Sequence, residues 1–305
     1  MTTDLETAID PWLRHMAWRR DYAIWRERRI NQERYQDERL AQLERVAGPL
    51  PGLRLLDLGA GMGGFAVAAA LRGARVTACE YNRAYCVIIR LRAARYGLRL
   101  PVSNAAGEDL PLPDAAFDAA VCWDVIEHVR DPERVLRELA RVLRPGGTAL
   151  VTVINRRAWV DPHYHIRGIN YLPRPLAERV IAWRGRTKEG AAFRDMQRLS
   201  EMHYYRYGDF ARLAARCGFT LRDLREEQLR EGRLPSPRLS RRLARTLLRA
   251  AGLELAAYRA ERRWLVGMFE LALTKAGDSI RRETGGAEGP SPSAPTCGRG
   301  GSATA

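Results

Sequence analysis

Between residues 53 and 154, short apolar runs alternate with stretches in which apolar residues recur every three or four positions. The runs are Leu53–Leu58, Arg75–Cys79, Leu100–Ser103, Ala119–Trp123 and Thr148–Ile154; the helix-like stretches are Phe65–Arg72, Ala84–Tyr96 and Pro132–Leu143, the last closed by Arg144-Pro145-Gly146-Gly147. Strand and helix alternating at this spacing predict a parallel sheet with helices on both faces. Farther on, Asp209–Cys217 reads as a helix stopped by Gly218, followed by a strand at Phe219–Leu224 and a last strand at Trp264–Thr274. The expected fold is therefore α/β: a doubly wound, Rossmann-like, seven-stranded, mostly parallel sheet with helical insertions.

The flanking segments divide by composition. Residues 4–47 mix charged residues with Trp12, Trp18, Tyr22, Trp25, Ile30, Leu40, Leu43 and Val46, the pattern of amphipathic helices, and Gly48-Pro49-Leu50-Pro51-Gly52 ends them. This gives a helical cap at 1–50, a core at 51–155, an Arg- and aromatic-rich insertion at 156–208, and a core helix and strand at 209–228. A basic helical insertion at 229–263 precedes the last core strand at 264–275. From Ala276 to the end, Gly, Ser, Pro and Ala dominate, and a disordered tail is expected.

The 305 residues are 46% hydrophobic and 29% charged, with a mean hydropathy of −0.36, which excludes a membrane-spanning chain and a wholly disordered one. Cys79, Cys86, Cys122, Cys217 and Cys297 form no CxxC pair, and an odd number suits no simple disulfide framework. The amino terminus lacks a basic-then-apolar leader. A reduced, cytoplasmic protein is expected. The net charge of +15 suggests a polyanionic partner until it is located: residues 156–264 hold 25 of the basic side chains against 12 acidic ones. Leu239, Leu243, Leu247 and Ala250 fall on one helical arc, and Arg238, Arg241, Arg242, Arg245 and Arg249 on the other. Such a helix lies on an anionic membrane surface, grips an acidic partner, or is a lid helix with a solvated arginine face.

The segment Leu55-Leu56-Asp57-Leu58-Gly59-Ala60-Gly61-Met62-Gly63-Gly64 closes the first strand and opens the first core helix. Its glycines allow a tight turn and close approach to a ligand at a helix amino terminus. Glu80, at the end of the second strand, is placed to accept both ribose hydroxyls of an adenosine and to reject a 2′-phosphate. Asp57 is poorly placed beside a pyrophosphate and well placed to hold an ammonium group.

Together with Gly107–Asp118 and with Asp124–Val129 through Leu143–Gly147, these motifs resemble class I S-adenosylmethionine-dependent methyltransferases, with the closest likeness to ubiquinone-pathway O-methyltransferases. The likeness covers 50–155 and resumes at 206–224 and 264–275. It implies S-adenosylmethionine as cofactor, its methionine end held by Asp57, Gly59, Ala60, Gly61 and Gly63, its ribose by Glu80 beside Tyr81, and its adenine flanked by Gly107 and Glu108. Many relatives carry an aspartate where this chain has Ala106, so Glu108 or backbone groups take the adenine amino group.

Asp124-Val125-Ile126-Glu127-His128 supports two readings. In some quinone O-methyltransferases a similar run holds a divalent metal. In the favoured alternative Asp124 caps the following helix and contacts the cofactor, while Glu127 and His128 line the cleft without metal. His128 is the first candidate for general base, with His163 of Asp161-Pro162-His163-Tyr164-His165 as its rival; His203 more simply orders a loop. The expected activity is O-methylation of a small-molecule or lipid-like acceptor, anionic or aromatic, with peripheral contact at the inner membrane surface as a further option. An RNA methyltransferase is the weaker alternative, because no appended RNA-binding module and no Asn/Asp-Pro-Pro-aromatic run is present. A non-catalytic binding protein of the same fold is the other.

Overall fold

The computed structural model describes residues 4–187, 197–233 and 239–277, with the side chains of 239–244 left aside. The expected tail beyond residue 277, Lys188, Arg238 and Cys297 lie outside the described residues, as do the side chains of Leu239, Arg241, Arg242 and Leu243.

Seven strands form one sheet in the order β3-β2-β1-β4-β5-β7-β6. The strands β1 (Arg54–Leu58), β2 (Arg75–Glu80), β3 (Val102–Asn104), β4 (Phe117–Cys122) and β5 (Leu143–Ile154) run parallel. The strand β7 (Met268–Lys275) inserts antiparallel between β5 and β6 (Phe219–Asp223). The sequence reversal from β3-β2-β1 to β4-β5 puts a topological switch point at the carboxyl ends of β1 and β4, where open α/β sheets bind ligands. β7 starts at Met268 rather than at Trp264, since Trp264 ends a helix and Gly267 turns the chain into the strand.

Side chains alternate across the sheet. Leu56, Leu58, Cys79 and Cys122 pack with α6 (Pro132–Val142) and α8 (Tyr207–Arg216) on one face; Leu55, Val76 and Ala78 pack with α3 (Asp37–Ala47), α4 (Gly64–Leu71) and α5 (Arg83–Ala94) on the other. Runs buried on both faces are what parallel strands require. The cap begins with α1 (Leu5–Leu13) and α2 (Tyr22–Ile30), whose Leu5, Ile9, Leu13 and Ile30 close around Ile88 of α5. Trp12 meets Tyr85 edge-on at 4.8 Å, so that tryptophan is a core residue. The cap is anchored by Arg92, fully buried and paired with buried Glu33; it also donates to the carbonyls of Ile30 and Arg29 and, at 2.8 Å, to that of Met62 in the glycine turn.

The first insertion carries its own small core, in which Ile154, Tyr164, Ile169, Met202 and Tyr204 meet Ala177 and Ile181 of α7 (Arg174–Trp183). The second contains α9 (Leu224–Arg230), α10 (Leu239–Ala250) and α11 (Glu254–Trp264). Asp223 caps α9 and accepts hydrogen bonds from Tyr258 and Arg262 of α11. The apolar arc expected of the basic helix is not seated on the core where its side chains are described: Leu247 is 71% exposed.

Candidate functional site

At the end of β1 the chain turns through Gly59, Gly61 and Gly63, all at positive φ. A side chain at Gly59 would place a Cβ 2.2 Å from Val125 Cγ2, so glycine is required there for space as well as for conformation. The amides of Gly59 and Ala60 donate to the Cys79 carbonyl at 2.8 and 3.2 Å, and that of Gly61 donates to Glu80 Oε2 at 2.8 Å. Glu80 Oε1 accepts from the Asn82 amide at 2.8 Å, so this buried carboxylate holds the turn. Gly63 caps α4 without a side-chain acceptor, leaving the helix amino terminus open to one.

Asp57 is 4% exposed, and its Oδ2 has no hydrogen-bond partner. Burial pushes its pKa up to about 7, with Arg39 pulling the other way. A buried carboxyl with an unsatisfied oxygen at a glycine turn fits a ligand that brings a cation. Tyr81 is exposed. Gly107 packs toward Val135, and Glu108 accepts the amides of Arg130 and Asp131 at 2.8 and 3.3 Å. The side chain expected at the adenine thus fixes the loop before α6.

Asp124 does not cap a helix. It sits at φ 58, its amide donates to Thr152 Oγ1 at 2.7 Å, and residues 125–130 form turns; the cap of α6 is Asp131, which accepts from the Arg134 amide. Arg39 of α3 reaches Asp124 at 3.5 Å and lies 4.8 Å over the Trp123 ring. Sequence reading missed Arg39, because nothing in an amphipathic helix marks which of its arginines faces inward.

Across the same edge of the sheet, Glu127, His128 and His163 converge, with one ligand atom from each all within 4.8 Å. Asp124 is not among them; the loop after β5 supplies His163 instead. Glu127 is 1% exposed, and neither of its oxygens has a hydrogen-bond partner. Its Oε1 stands 3.6 Å from His163 Nε2 and 3.9 Å from His128 Nε2. Gln197 donates through Nε2 to the His128 carbonyl and presents Oε1 to His128 Nδ1 at 3.2 Å, which assigns the proton to Nδ1 and leaves Nε2 an acceptor. Burial lowers the His128 pKa, so its imidazole is neutral at neutral pH. Asp161, fully buried, orders the second loop by accepting the amides of His163 and Tyr164 at 2.9 and 2.7 Å. His165 is exposed, and the His203 amide donates to the Glu127 carbonyl, a loop-ordering contact.

Acceptors facing acceptors leave room for a proton or a cation. Three ligands are one fewer than a closed tetrahedral metal site needs, and the fourth position of a catalytic one is taken by water or substrate.

Residues 56–151 match the model of a methyltransferase domain. The chain is 36% identical over 120 residues to the ubiquinone biosynthesis O-methyltransferase of Aeromonas salmonicida, covering 39% of this chain and 50% of that protein. It is 32% identical over 146 residues to the protein of that name from Alkalilimnicola ehrlichii, covering 48% and 59%. The chain thus spans about half the length of the curated relatives it matches. Among solved structures, an S-adenosylmethionine dependent methyltransferase from Mesorhizobium loti superposes with a TM-score of 0.50 at 19% identity, over 77% of this chain and 96% of that one, a likeness of fold.

Proposed function

We propose that this chain, built on a class I S-adenosylmethionine-dependent methyltransferase domain, transfers the methyl group of S-adenosylmethionine to an oxygen of a small-molecule acceptor. The observation that carries the reading is the placement of a Glu127-backed histidine pair over the same sheet edge as the unsatisfied Asp57 and the glycine turn. When bound, the cofactor supplies an electrophilic methyl group on a sulfonium.

The chain's own residues bind, align and deprotonate. Asp57 would hold the cofactor's ammonium group, with Arg39 in reach of its carboxylate, and Gly59, Ala60, Gly61 and Gly63 let it approach the backbone. Glu80 and Tyr81 would hold the ribose, Gly107 and the backbone near Glu108 the adenine, and Asp124 would contact the cofactor from the end of β4. Alignment supplies most of the acceleration. A hydroxyl must lose its proton as it attacks, and His163 or His128 would accept it at Nε2, with Glu127 facing the imidazolium that forms.

Replacement of the base by glutamine is expected to lower kcat by about 100-fold with the KM for S-adenosylmethionine unchanged. Turnover by both His128→Gln and His163→Gln at the wild-type rate would remove the pair from the mechanism. Methyl-labelled S-adenosylmethionine incubated with protein and cell lysate should leave its label in the small-molecule or lipid fraction. Label confined to RNA or protein, or none despite confirmed cofactor binding, would overturn the acceptor class.

The unpartnered oxygens of Glu127 favour one second reading, in which a divalent cation held by Glu127, His128 and His163 stands where the shared proton would, and acidifies the acceptor hydroxyl. Dialysis against a chelator separates the two: activity lost and restored by added metal supports the cation, and unchanged activity removes it. Among the described residues no helix is long and apolar enough to cross a membrane. The reading of peripheral contact draws on exposed Trp159, Tyr171 and Trp264, which neighbour one another at 6.1 Å with Arg157 over Trp264.

A further inference from the structure

The first insertion holds two arginines for which no carboxylate within ion-pair distance is found among the described residues, although both are partly withdrawn from water. Arg174 opens α7 with its guanidinium 4.7 Å over the buried ring of Tyr204, and its Nη1 is buried with no hydrogen-bond partner. Arg156, two residues past the end of β5, spends one donor on the Asn170 carbonyl. Burial first, and then a neighbouring cation, lowers the pKa of each: Arg156 acts on Arg174, and Arg206 on Arg156. At Arg174, Asp161 and Glu178 offset part of this from beyond ion-pair distance; Asp161 Oδ1 accepts two amides of its own loop while its Oδ2 has no partner, and Glu178 accepts from Ser200. By contrast, buried Arg92 is matched by Glu33 and Arg262 by Asp223. Like charges held near one another with reduced solvation are costly unless an anion joins them.

Their place relative to the histidine pair gives the anion a role. The Tyr204 ring beneath Arg174 stacks on His163 at 6.3 Å with an interplanar angle of 24°, and His163 meets His128 at 5.3 Å. Arg174, Tyr204, His163 and His128 are therefore linked by consecutive ring contacts. We propose that Arg156 and Arg174 are a subsite for an oxyanion, a carboxylate or phosphate carried by the methyl acceptor, anchored one aromatic layer from the base. Guanidinium forks suit such groups because two parallel N–H donors match two oxygens. The proposal rests on the methyl-transfer reading for the identity of the ligand, and narrows the acceptor to molecules bearing an oxyanion remote from the hydroxyl that is methylated.

The test titrates the full chain with benzoate, phenyl phosphate and, as a neutral control, benzamide, at ionic strength held constant with sodium chloride. Calorimetry and thermal unfolding are the readouts. Benzoate or phenyl phosphate should bind and raise the Tm, and the stronger of the two tells carboxylate from phosphate; benzamide should do neither. Arg174→Met and Arg156→Met should each weaken anion binding at least about tenfold, Arg174→Lys less so, with S-adenosylmethionine affinity unchanged in all three. Failure of both anions to bind the wild-type chain, or equal binding to the methionine variants, overturns the subsite. Loss of anion binding with methyl transfer intact would strike the subsite alone, whereas anion binding without methyl transfer to any acceptor would strike the broader reading.

Discussion

Asp57 expresses its burial as proton affinity. A carboxyl raised to about 7 in the folded chain, from 3.8 when solvated, stabilises the fold at a pH below both values and loses that contribution as pH rises through 7. The difference is on the order of 4 kcal/mol. Two outcomes follow for the chain without cofactor: stability falls between about pH 4 and 7, and Asp57→Asn is more stable than wild type at pH 8. An ammonium ligand reverses the preference by favouring the ionised form. Affinity for S-adenosylmethionine should therefore drop as pH falls below 7, with a proton released on binding, which calorimetry in buffers of different ionisation enthalpy measures. Affinity independent of pH from 5 to 8 would remove Asp57 from the ammonium contact. This residue and the glycines around it are legible in sequence because they sit in one continuous turn. The partnership of Glu127 with His163 is not, because each comes from a different loop and only the sheet brings them together.

Elements show the same division between local and assembled information. The periodicity of 53–154 places its strands and helices, since burial on both faces leaves little freedom in which residues are apolar. Two features escape it. Leu247 falls on an arc of helical spacing but is exposed, because spacing specifies a face and not what covers it. The cap's attachment also escapes it: Glu33 and Arg92 read as surface charges, yet form a buried pair whose arginine also holds the Met62 carbonyl of the glycine turn. Removing one member of such a pair strands the other charge, so Glu33→Ala should cost about 3–5 kcal/mol in urea unfolding. The same variant should weaken S-adenosylmethionine binding, because Arg92 then loses the partner that orients it toward the turn. A loss below about 0.5 kcal/mol, the range of surface substitutions, would show that the pair is solvated.

At the scale of the whole molecule, the charge of +15 concentrates in residues 156–264, and the structure shows how much of it is available. Along the second insertion the cations are largely spent within the chain: Arg230, Arg259 and Arg262 converge on Glu226, Arg249 pairs with Glu254, and Arg222 with Glu227. Internal pairing of this kind leaves few counterion-releasing contacts for a phosphate backbone, and it is those contacts that give nucleic-acid binding its affinity and its salt dependence. Arg156 and Arg174, inside the first insertion and partly withdrawn from water, have a geometry suited to one small anion rather than to a strand. Titration of a single-stranded RNA 20-mer should therefore show no saturable binding at 0.15 M salt, and the weak binding seen at 0.02 M should persist in Arg174→Met. Tight binding at 0.15 M, with a steep dependence on salt, would instead mean that the paired arginines release their partners to bind phosphates, and would restore RNA as the acceptor.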